Sequence, residues 1–175
     1  MHTTTSIPNP TSFTSAPLRN RMRVELNAPV PEVWALVGNL ERLPEYSAGL
    51  DRVDVKKNAS GQPEEYTCYF KPMAEGGPGP VARERFRWRE PNQGWASVES
   101  GPSDFGTKNS LHMVTLSPSG EGTLVDWKVH YDAADLEMNR SELDKSFADI
   151  SNRLVARFGG RVVERYVEGT PAKTK

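Results

Sequence analysis

The chain has 175 residues with 22 Lys+Arg against 23 Asp+Glu, a formal net charge of −1, and that length suits one domain with a sizeable core. So balanced a charge leaves no global field to attract nucleic acid or an anionic membrane. A single cysteine, Cys68, excludes an internal disulfide and fits a reducing compartment, and no apolar run nears the roughly 20 residues that span a bilayer.

Residues 1–20 are rich in Thr, Ser and Pro and lack the basic start and apolar stretch of a signal peptide. Such sparse hydrophobes do not offset ordering entropy, so residues 1–20 read as a disordered tail, as do 170–175. The folded domain is expected over 21–169, in the cytoplasm. A first strand over 21–28 alternates Met22, Val24 and Leu26 with Arg23 and Glu25. Pro29 and Pro31 then stand where a helix starts, because a first-turn proline gives up no hydrogen bond. Val33, Trp34, Leu36, Val37 and Leu40 recur at helical spacing until Gly38-Asn39, and a second short helix over 40–47 contains Pro44.

From Asp51 the apolar period changes to two. Val53 and Val55 alternate, Asn58–Pro63 turns, and Tyr66, Cys68 and Phe70 alternate again before a Gly/Pro loop at 75–80. In the run 81–90, Arg83, Arg85, Arg87 and Arg89 fall on one face and Ala82, Glu84, Phe86 and Trp88 on the other. Strands over 95–100, 107–117 and 122–133 follow across tight turns, the pattern of an antiparallel meander. The last segment is helical. Asn139 with Glu142, or Ser141 with Asp144, supplies its cap, and Leu143, Phe147, Ile150, Leu154 and Phe158 form one apolar stripe. Gly159-Gly160 predicts a kink before the pattern resumes at Val162, Val163 and Tyr166.

The order predicts an α+β helix-grip fold: a strongly curved seven-stranded antiparallel sheet wrapped around a long C-terminal helix, with two short helices after the first strand closing one end. The stretch V-x-L-N-A-P-V-P-E-V-W-A-L-V (24–37), the following L-P-E-Y, and HMVTLSPSGEGTLVDWKVHY (112–131) with its G-T-x-V-x-W resemble the START/pollen-allergen (SRPBCC) superfamily, in its polyketide cyclase/dehydrase-like branch. The resemblance covers about 22–168 and rests on structural motifs. It implies a hydrophobic cavity between sheet and helix, in a family that includes aromatase/cyclases, lipid carriers and hormone sensors.

Alternation nominates the chemistry. Val125, Trp127, Val129 and Tyr131 share the inner face of the last strand, and Val114 and Leu116 carry His112 inward on the one before. Glu84 shares a face with Phe86 and Trp88. His112 and Glu84 are therefore the acid–base candidates, since burial among aromatics raises a carboxyl pKa and histidine titrates near neutrality. Tyr131 is the candidate hydrogen-bond donor that orients a carbonyl or phenol. Phe70, Phe86, Trp88, Trp127 and Phe147 are the candidate ligand-lining aromatics, with plain core packing as the competing reading. The expected function is binding of a hydrophobic, aromatic or polyketide-like small molecule, with cyclisation or dehydration by acid–base chemistry. The alternative is a non-catalytic lipid or small-molecule carrier or sensor. The arginine face reads as a solvated surface, a partner-binding module being the third alternative. GGPGPVA (76–82) nominally matches a dinucleotide-binding motif but leads into a strand, and the three histidines lack metal-ligand spacing, so neither cofactor nor metal is expected.

Overall fold

The computed structural model describes residues 6–72 and 76–170, so Glu75 of the Gly/Pro loop and the outer parts of both expected tails, 1–5 and 171–175, lie outside the described residues. Eight strands form one antiparallel sheet: β1 (Leu18–Leu26), β2 (Leu50–Lys57), β3 (Pro63–Phe70), β4 (Val81–Glu90), β5 (Gly94–Glu99), β6 (Thr107–Ser119), β7 (Gly122–Ala133) and β8 (Gly160–Val167). Their order is β2-β3-β4-β5-β6-β7-β1-β8. The long helix α2 (Leu136–Phe158) lies against the inner face of the sheet through Phe147, Ile150 and Leu154. One end is closed by α1 (Val30–Val37), which starts after Pro29, and by a 3₁₀ helix (Leu40–Glu45). The indole N–H of Trp95 on β5 donates to the Val37 carbonyl at 3.1 Å and ties the sheet to this end wall.

The eighth strand corrects the expected count of seven. Gly159 and Gly160 do not kink α2; they end it, with φ values of 74° and 118°, in the left-handed region that glycine reaches without steric cost. A Cβ on Gly160 would strike the Glu25 carbonyl oxygen, so this close passage brings Val162–Val167 onto the edge of β1 as a strand. At its other end α2 starts earlier than expected. Asp135 is the cap, its carboxylate accepting from the Met138 N–H at 3.0 Å.

A second correction lies in β4. The β4–β5 register shifts between Phe86 and Trp88, so that Phe86 opposes Ser97 while Trp88 opposes Ala96. This bulge reverses the inward/outward phase. Trp88 consequently packs on the outer face with Ala96, Leu111 and Met113, not in the grip. Arg89 crosses inward to the end wall, 5.1 Å over the Trp34 ring, with a guanidinium N–H donating to the Gly38 carbonyl.

Residues 9–17 form a strap over that outer face, and β1 begins at Leu18, inside the segment expected as a tail. Phe13 packs beside Trp88 and Val98, under the guanidinium of Arg87 at 5.7 Å. The Thr14 hydroxyl donates to the Asn109 carbonyl at 2.8 Å, and His130 Nδ1 meets the Ala16 carbonyl at 3.0 Å. An outer apolar patch is thus covered by a Ser/Thr-rich segment whose one aromatic supplies the contact.

Candidate functional site

The inner face of the sheet carries aromatics crossed by a band of polar groups. Tyr66, Phe86 and Trp95 pack with ring centroids 5.2 to 6.2 Å apart. Trp95, Trp127 and Phe147 continue the row toward α2 at 5.6 and 5.7 Å. Of the expected lining residues, the structure gathers Phe86, Trp127 and Phe147 here. Phe70 lies at the border, edge-on to Phe105 at 4.9 Å, and Trp88 is outside.

The polar band follows from strand register. Glu84 lies directly opposite Tyr66 on one side and Glu99 on the other. The Tyr66 hydroxyl shares a 2.7 Å hydrogen bond with Ser97 Oγ. Ser97 opposes His112 on β6, and the Trp127 indole N–H donates to His112 Nδ1 at 3.2 Å. Directly opposed side chains in an antiparallel pair have Cβ atoms about 5 Å apart, so these groups form one connected row from β3 to β7.

Glu84 is 5% exposed, and its Oε2 has no hydrogen-bond partner. Burial, with the neighbouring Glu99 carboxyl, raises its pKa well above the ordinary value and so favours its protonated form. Desolvation lowers the His112 pKa to about 4. Because Nδ1 accepts the Trp127 proton, the ring is a neutral Nε2–H donor. Burial thus favours the neutral form of both groups expected as acid and base. Tyr131 is inward and buried, but its hydroxyl donates to Asn20 Oδ1 at 2.8 Å, and Asn20 donates to the Arg140 carbonyl. That phenol fastens β7 and β1 to the first turns of α2. Burial lifts its pKa to about 12.

The sequence reading passed over Glu99, although Trp95, Ser97 and Glu99 share one phase of β5. Its Oε1 accepts the Thr107 hydroxyl, and burial raises its pKa while the Thr107 hydroxyl and the Ser110 backbone oppose the rise. Glu99 also lines a pocket of about 800 Å³ bounded by Phe13–Ser15, Val98, the 101–103 turn and Thr107–Ser110. A smaller recess of about 220 Å³ lies between Glu99, Arg85 and Arg87.

A sheet gripping a long helix, with an end wall between its first and second strands, defines the class, and the sequence agrees. The profile of the polyketide cyclase / dehydrase and lipid transport family matches residues 18–170, and the chain belongs to that family. A START superfamily protein from Mycobacterium smegmatis superposes with TM-score 0.66 at 14% identity, over 80% of this chain and 97% of that one. XoxI from Bacillus cereus gives 0.65 at 16%, over 80% and 95%. The Zhui aromatase/cyclase from Streptomyces sp. R1128 gives 0.63 at 11%, over 81% and 93%. At these identities the likeness is one of fold. No curated protein matches the sequence. Among the described residues, no helix is long and apolar enough to cross a membrane.

Proposed function

We propose that the domain binds a hydrophobic small molecule bearing carbonyl or hydroxyl oxygens on the inner face of the sheet, and that Glu84 acts on it as a proton donor. The observation that carries this reading is Glu84 itself, a buried carboxyl with an unpartnered oxygen beside the Tyr66 and Phe86 rings. A buried polar group without a partner costs about 1–3 kcal/mol, which a ligand oxygen accepting its proton would offset. Transfer of that proton to a hydroxyl or carbonyl oxygen promotes loss of water or enolisation, and a well-placed acid contributes about 10² to 10⁴ in rate. His112 serves as the second donor and orients the ligand. Family membership supports an aromatic or polyketide-like ligand, and the arginine face as a partner surface becomes secondary, since Arg85 pairs with Glu65 and Arg89 turns inward. The single free cysteine, Cys68, suits the cytoplasmic setting we assign.

A carrier reading is favoured by one observation: the Trp127 bond leaves His112 unable to act as a base at Nδ1. Titration of ligand into the native chain and into Glu84→Gln, with product analysis, separates the two. The enzyme reading expects turnover in the native chain and its loss in Glu84→Gln at nearly unchanged affinity. Binding without turnover in the native chain leaves a carrier.

A further inference from the structure

Glu84 is sealed from solvent on the inner face, yet a proton donor that acts repeatedly must recover its proton. The one carboxyl directly opposite it, Glu99, reaches the wall of the 800 Å³ pocket. We infer that Glu99 is the proton-relay partner of Glu84, linking the buried acid across the β4–β5 ladder to the pocket beneath the N-terminal strap. The inference rests on the proposed donor role of Glu84 but concerns a different residue, Glu99, and its access to solvent.

The geometry favours transfer between these two groups over any other route. Glu84 faces Tyr66 and Cys68 from β3 and Glu99 from β5. The Tyr66 hydroxyl is engaged with Ser97, and the Cys68 thiol is buried and holds its proton. His112, beyond Ser97 on β6, has its Nδ1 occupied by Trp127. From α2, the side chains in the core opposite this face are Phe147, Ile150, Ser151 and Leu154, none of which titrates. Glu99 is held by the Thr107 hydroxyl at Oε1 and by the Ser110 backbone, which fix its carboxyl beside Glu84. The charged groups beside Glu99 are Lys108, in the same pocket, and Arg85 and Arg87, in the adjoining recess.

The cycle balances. Glu84 gives its proton to a ligand oxygen and becomes a carboxylate. The Glu99 carboxyl then passes a proton to Glu84, directly or through one water, and takes another from water in the pocket. Two carboxyls this close share their charge states, because ionisation of one opposes ionisation of the other.

The test is infrared difference spectroscopy on the ligand-free full chain, following the protonated-carboxyl stretch that disappears in Glu84→Gln. In Glu99→Gln, which keeps the acceptor for Thr107, the pH at which the Glu84 band is lost should fall by about one unit or more, since a like charge has been removed. After transfer into heavy water, the shift of that band to its deuterated position should also slow by at least tenfold. A Glu84 band whose midpoint and exchange rate are the same in Glu99→Gln and native protein would overturn the relay while leaving Glu84 as donor. Absence of any Glu84 band at neutral pH would instead overturn the donor reading itself. Lys145→Ala, at an exposed position of α2, serves as a folded control that should leave the exchange rate within twofold of native.

Discussion

Glu84 and His112 pull stability in opposite directions with pH, and the sign of each follows from its burial. The folded pKa of Glu84 is raised, so its contribution is full below the unfolded value near 4.5 and is lost as pH rises toward the folded value. His112 has a folded pKa of about 4 against an ordinary 6.5; its contribution is present above 6.5 and is lost as pH falls through about 4. Melting temperatures from pH 4 to 8 should therefore decline less steeply toward neutrality in Glu84→Gln than in the native chain. A parallel decline in both would show that Glu84 ionises normally. Trp127→Phe removes the donor to His112 Nδ1, so the His112 pKa should rise, read as an upward move in the NMR titration midpoint of its ring protons. Both residues were legible from strand alternation alone. Glu99 shared a phase with Trp95 and Ser97, but its significance depended on the cross-strand register that set it opposite Glu84. Tyr131 was read correctly as inward; its bond to Asn20 links residues 111 positions apart, which no local pattern reveals.

At the scale of elements, periodicity located β1–β7, α1 and the body of α2, and failed where one residue changed the phase. The β4–β5 bulge sends Trp88 outward and Arg89 inward, and a strict period-two reading of 81–90 has no means of marking it. Gly159-Gly160 was seen as a helix interruption, but only the approach of Glu25 shows that the chain turns back along β1. Gly160→Ala should consequently cost about 1–3 kcal/mol through a forced left-handed conformation and a backbone clash. The loss should concentrate in β8, whose amides would exchange faster with solvent, while those of β5–β7 stay protected. The strap escaped detection because its composition is that of a loop and its one aromatic, Phe13, finds a partner only in the assembled sheet. Phe13→Ala should destabilise the domain by about 1–2 kcal/mol and uncover Leu111 and Met113, with increased binding of an apolar fluorescent dye as the readout.

The whole molecule is a sheet with two working faces. Its inner face meets α2 through aromatics and a polar row, its outer face carries the strap, and Glu99 lines the pocket beside the strap. The architecture was legible because a meander followed by one amphipathic helix has few ways to bury a single apolar stripe. The ligand was not, because the family's motifs specify packing and the chemistry resides in a few side chains whose proximity register alone creates. A thermal-shift screen of the full chain against flavonoids, aromatic polyketides, sterols and fatty acids tests the central claim most directly. A ligand at 100 times its dissociation constant stabilises by about 2.7 kcal/mol, a rise of about 5–10 °C for a domain of this size. Such a rise should be confined to oxygen-bearing aromatic compounds; no rise with any class would contradict a ligand site on the inner face.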